Sequence, residues 1–110
     1  MQSAAGEILE RVDGNRTLLS GLRATFESES AQLLHELRLG TAEKNSASVR
    51  RAGHTLRGML SFFSASDAEW IIRQLEENAR TGLWTGLEEM VDHLTEEIQR
   101  VNDEVARLCR

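Results

Sequence analysis

From Leu87 to Leu108 the apolar residues Leu87, Val91, Leu94, Ile98, Val101, Val105 and Leu108 succeed one another at alternating intervals of four and three. Only an α-helix brings such positions onto a single stripe, and in water that stripe has to be covered by other helices. A second copy of the chain could supply the cover, as in a coiled-coil dimerisation module. Alternatively, the chain's own helices could supply it, as in a bundle. The bundle requires further amphipathic segments, and the sequence has them.

The spacing of Ala5, Ile8, Leu9 and Val12 predicts a short helix over 4–12, broken by Asp13-Gly14-Asn15. Asn15 can cap a longer helix over 16–38, which carries Leu19, Leu22, Phe26, Leu33 and Leu37 and has Gly40 as its stop. Asn45 or Ser46 can cap a third helix running to about Phe63. Ser66-Asp67-Ala68-Glu69 has the capping-box pattern and opens a fourth, with Ala68, Ile71, Ile72, Leu75 and Ala79 inward and Gly82 as terminator. Thr85-Gly86-Leu87-Glu88 repeats that pattern before the heptad segment. The absence of proline suits this reading, and 110 residues fit one core. The expected fold is all-α, a single domain over residues 1–110. It is an antiparallel four-helix bundle with a short accessory N-terminal helix.

Several function classes drop out. A net charge of −5 repels nucleic acid and anionic membranes, so any basic site has to be local. No apolar run is long enough to span a bilayer, so no membrane insertion is expected. MQSAAGEIL lacks the basic flank and apolar core of a signal peptide. Cys109, the single cysteine, cannot form an internal disulfide, and a reducing, cytoplasmic setting is expected. Neither glycine-rich nucleotide motif nor H-E-x-x-H occurs. His93, between Glu89 and Glu97, and His35 read as surface, with no metal expected; Trp70 and Trp84 read as packing at the bundle ends.

The segment RRAGHTLRGML, residues 50–60, fits none of these structural roles. At about 100° per residue, Val49, Ala52, Leu56, Met59, Leu60 and Phe63 gather on the core side of the third helix. His54 falls almost opposite that stripe, in the company of Arg50, Arg57 and Ser61, with Arg51 and Gly58 on the flank. A neutral imidazole is a nucleophile. Once such a ring carries a phosphoryl group, an arginine one turn away meets the anionic oxygens through charge-assisted hydrogen bonds. Glycine inside a helix costs about 1 kcal/mol against alanine, so Gly58 calls for a reason. Clearing space beside a reactive ring supplies one. Gly53 has no such explanation at this level.

Ser48 to Gly58 resembles the signature of the histidine phosphotransfer (HPt) domain family. ILERVDGNRTLLSGLRATF and IIRQLEENARTG are similar to the segments before and after it in that family. The resemblance implies a four-helix bundle and a phosphorelay function. His54 would take a phosphoryl group from a receiver-domain aspartate and pass it to the aspartate of another response-regulator receiver, in two-component signal transduction. It implies a phosphocarrier without ATP-dependent kinase activity or a cofactor of its own, Mg²⁺ sitting on the receiver. A hybrid sensor histidine kinase is an implied further partner, and the chain is expected to be a monomer. A kinase-charged N-terminal domain of a chemotaxis-type kinase is the alternative within the family. Arg57 stands where lysine is usual and Gly58 matches the family glycine. Glu76 falls where some members place a group that hydrogen-bonds the histidine ring. Docking is expected around His54, on Arg50, Arg51 and Ser61, with Phe62 and the N-terminal helix as apolar contacts at its edge. Gly53, where alanine is common, Met59 and Ser64 depart from the family pattern.

Overall fold

A computed structural model describes residues 4–110. The first three residues, part of the segment read against a signal peptide, lie outside the described residues. The described residues form five helices and no strand: α1 Ala4–Arg11, α2 Arg16–Ala42, α3 Ser46–Phe62, α4 Ser66–Arg80 and α5 Leu87–Leu108. Short connections fold α2 to α5 up and down. α2 packs on α3 and α5, and α4 packs on the same two. That leaves α3 and α5 at diagonal corners. Arg16 Nε donates to Leu108 O at 2.9 Å, and Arg38 pairs with Asp92 at 2.7 Å, fixing α2 and α5 antiparallel at both ends. Ile8 and Val12 bury α1 across one end of the bundle. There Arg11 donates to Phe62 O and Ser64 Oγ, closing the end of α3.

The helix starts are set partly by the expected residues. Asn15 accepts from the Leu18 amide at 2.9 Å and Asn45 from the Ser48 amide at 3.1 Å, as N-caps do. The two capping boxes are not formed. Ala65 and Gly86 occupy the cap positions of α4 and α5, and neither has a side chain to offer. In the second case the Leu87 amide bonds to Trp84 O, with Gly86 at φ 82° and ψ −2°. Those angles are the glycine position of a type II turn, so turn geometry displaces the Thr85 cap.

The first four helices end alike. The amides of Gly14, Asn45, Ala65 and Leu83 reach back to the carbonyls of Leu9, Gly40, Leu60 and Asn78, and the residue before each has a positive φ. This is the Schellman ending. Its left-handed position is held by Asp13, Lys44, Ser64 and Gly82, so only the last is glycine. Ser64 thus does occupy a glycine-type position, and the Arg11 bond holds it there. Lys44, exposed at φ 54°, has no such compensation. Lys44→Gly is expected to stabilise the chain by about 1 kcal/mol and to raise the thermal midpoint by about 4 °C or more, measured by circular dichroism.

Three packing expectations need correction. Gly40 does not stop α2, which continues to Ala42. A methyl group at Gly40 would lie 3.1 Å from Val49 Cγ2, so this glycine lets α3 begin close against α2. On α5 the buried set is Leu87, Val91, Leu94, Ile98, Asn102 and Val105, with Val101 only half-buried. A straight helix drifts by about 20° per heptad against a 3.5-residue repeat, which moves the seam from Val101 to Asn102. Trp70, at 62 % exposure, is not end packing, whereas Trp84 packs against the core as expected.

Candidate functional site

The core stripe of α3 lies where the periodicity puts it. Val49, Ala52, Leu56 and Leu60 are at most 1 % exposed, and Phe63 is buried at the end of the stripe. Met59 is half-buried and packs on the same core, so its departure from the family pattern is a packing feature. His54 is exposed on the crest opposite. Two grooves flank that crest. One runs between α3 and α4 and is lined by Arg50, Arg51, Arg57, Arg73, Glu76 and Arg80 among others. The second lies between α3 and α2, where Arg51 and Thr55 meet Leu33 and Leu39.

Arg57 is the residue that organises the first groove. Its Nη2 lies 3.4 Å from His54 Nδ1, and its Nε lies 2.8 Å from Glu76 Oε2, although that N–H is poorly aligned on the oxygen. Arginine has only donors, so Nδ1 acts as an acceptor towards it. The carboxylate of Glu76 therefore holds Arg57 and not the ring of His54, a correction to the expected hydrogen bond. The side chains of Arg57 and Glu76 are only 25 % and 15 % exposed, which distinguishes this pair from the solvated ion pairs elsewhere. Further along α4, Arg80 grips Glu77 with two hydrogen bonds, at 3.0 and 2.7 Å. That grip holds the Glu77 carboxyl below the ordinary carboxylate range.

The two glycines of the segment have different reasons. A methyl group at Gly53 would lie 3.0 Å from Ile72 Cγ2 and 3.2 Å from Glu76 Cδ and Cγ. Gly53 is buried and admits Glu76 alongside α3. A methyl group at Gly58 would meet nothing within 4 Å. The space beside it is open.

Other expected site residues separate from this cluster. Ser61 is exposed but outside both grooves, as is Phe62. Phe62 is half-buried, packs edge-on against Phe63 at 5.1 Å and has its carbonyl bound by Arg11, so it serves the bundle end. α1 covers that same end, at the far end of α3 from the start of the arginine-lined groove. His35 and His93 are exposed. Among the described residues no group of three or more His, Cys, Asp or Glu side chains could hold a metal ion. Arg73 and Arg80 escaped the sequence reading. Their spacing of seven on α4, with Glu76 between them, was the available signal.

The Hpt domain model matches residues 21–104, most of the bundle and all of α3. The chain belongs to the Hpt domain family. No curated protein and no solved structure matches it. Hpt domains carry out histidine phosphotransfer in phosphorelays, and receiver domains are their partners. In this Hpt domain, the α5 seam that could have paired two chains is turned inward. Leu87, Val91 and Leu94 are fully buried against the chain's own helices. No helix among the described residues is long and apolar enough to cross a membrane.

Proposed function

We propose that His54 accepts a phosphoryl group from the aspartyl phosphate of one receiver domain and delivers it to the aspartate of another. The observation that supports this most directly is the exposed ring of His54, with Arg57 against Nδ1 and open space at Gly58. In the accepting step a ring nitrogen attacks phosphorus. The N–P bond forms as the P–O bond to the aspartate breaks, and the carboxylate leaves with the electron pair. The delivering step is the reverse, towards a second carboxylate. Transfer of this kind passes through a loose, in-line transition state, so positioning and charge supply most of the catalysis.

With Arg57 donating to Nδ1, the proton of the neutral ring sits on Nε2. For the outer nitrogen to react, that proton moves to Nδ1 and the guanidinium shifts onto the phosphoryl oxygens. A 3.4 Å contact is long, so giving it up costs little. Glu76 limits how far Arg57 can swing and is a positioning residue. Mg²⁺ in this reading belongs to the receiver, and the chain acts as a cytoplasmic monomer without kinase activity of its own. A hybrid sensor kinase is a fitting source of the first receiver.

The test is transfer of label from a receiver carrying ³²P-aspartyl phosphate with Mg²⁺. Label should appear on this chain in an acid-labile, alkali-stable bond. Failure of several receivers to label it would overturn the reading. Glu76→Gln should slow transfer by about threefold to tenfold with little change in thermal midpoint. A double-mutant cycle with Arg57→Gln, read in transfer rates, should show a coupling of about 1 kcal/mol. Additive effects would mean that Glu76 does not act through Arg57.

A further inference from the structure

The charge of this bundle is distributed across its diagonal. α3 carries three arginines and no acidic residue, whereas α5 carries seven acidic residues against Arg100 and Arg107. Because α3 and α5 stand at opposite corners, a chain of net charge −5 presents a positive face at His54 and a negative face behind it. Part of the positive face is also uncompensated. Arg38, Arg57, Arg80 and Arg100 each pair with a carboxylate of the chain. Among the described residues, Arg50, Arg51 and Arg73 form no hydrogen bond or ion pair through their side chains. Arg73 is the most telling, since Glu69 and Glu77 stand four residues to either side of it and Glu76 three residues on. In a chain with 18 acidic and 13 basic residues, partners for these cations were available. All three line the groove beside His54.

We infer that Arg50, Arg51 and Arg73 are the selectivity determinants of this surface, and that they select receiver domains whose face around the phosphorylatable aspartate is acidic. The inference rests on the phosphotransfer reading and adds the chemistry of the partner. Exposed cations around a docking site act mainly on the encounter, raising the association rate and making it sensitive to salt. The acidic α5 face repels the same partner, so approach is biased towards the side that carries His54. A long polyanion such as duplex DNA would be repelled by α5 while it met α3, which is why a compact acidic protein face fits better.

Two purified receivers, one acidic and one basic around the aspartate, distinguish the outcomes. Initial transfer rates would be measured against receiver concentration at about 20 mM and about 200 mM salt. The chains compared would be the wild type, an Arg50→Gln/Arg51→Gln/Arg73→Gln variant, and an Arg107→Gln/Arg110→Gln control of the opposite corner. With the acidic-faced receiver, the triple variant should raise the half-saturating concentration about tenfold or more, well beyond any fall in the saturated rate, and should flatten the salt dependence. The control should behave as wild type. An unchanged half-saturating concentration, equal effects from the control, or a wild-type preference for the basic-faced receiver would overturn the inference. If His54 takes label from neither receiver, the phosphotransfer reading fails separately. Direct titration of the same receivers by calorimetry then still decides whether the three arginines dock an acidic face.

Discussion

Replacing His54 with glutamine is expected to abolish phosphoryl transfer from a labelled receiver, with a loss of at least about a thousandfold. Glutamine keeps the length and the hydrogen-bonding character of the side chain, but its amide nitrogen has no lone pair available for attack on phosphorus. The Arg57 contact at Nδ1 disappears with the ring, while Arg57 itself stays paired with Glu76, so the variant removes the nucleophile and leaves its charged neighbour in place. Because His54 is exposed and the core stripe lies on the other side of α3, the fold should not register the change. Surface substitutions of this kind stay within about 0.5 kcal/mol, a shift of a few degrees at most in thermal midpoint. The comparison is also a choice among three histidines. His35 and His93 are also exposed, yet neither lines the arginine-rich groove. Label that persists in His54→Gln and vanishes in a His35 or His93 variant would place the acceptor elsewhere and sink the assignment.

The second large effect separates the two glycines of α3. Gly58→Leu is expected to keep or raise stability, by up to about 1 kcal/mol, because leucine suits a helix better than glycine and nothing lies within 4 Å of the new side chain's root. Its transfer rate should nevertheless fall by about a hundredfold, since the side chain stands where a receiver brings its aspartate to the ring and small misplacements are costly in transfer chemistry. Gly53→Leu should instead lower stability, and it should slow transfer as well because it displaces Glu76 from Arg57. With Ile72 and Glu76 at 3.0 and 3.2 Å, a large side chain has to push α4 away, and overpacking costs about 1–3 kcal/mol or more. Thermal unfolding and transfer kinetics on the two variants check both statements. A destabilised Gly58→Leu, or one that transfers at the wild-type rate, would mean that the open space is not where the partner sits.

The periodic signals were legible because burial follows them directly. The wheel of α3 placed Val49, Ala52, Leu56 and Leu60 inward and His54 outward, and the bundle reproduces that division. Asn15 and Asn45 were legible for a similar reason: an N-cap acts on amides three residues away, within its own segment. What failed involved competition between local and distant interactions. The Ser66 and Thr85 capping boxes lost to turns whose geometry is dictated by the helices they join. Glu76 was placed near His54 by likeness, but its distance to Arg57 depends on how closely α3 and α4 approach, and Gly53 sets that. Trp70 lies one residue away from the inward-facing Ile71, and composition alone could not tell that its face meets solvent.

By itself, the sequence determined that this chain is helical, where most of its helices lie, which stripe of each is buried, and that one histidine among arginines is turned outward. Those properties depend on backbone hydrogen bonding and on side chains within a few residues of one another. The tertiary structure decided which charges meet. It joined Arg57 to Glu76, left Arg50, Arg51 and Arg73 without partners among the described residues, and set α3 diagonally across from the acidic α5. The physical reason is one of range. Helix periodicity is a local property of the chain, whereas ion pairing between helices depends on ångström-scale distances that only the packing of the whole core can set.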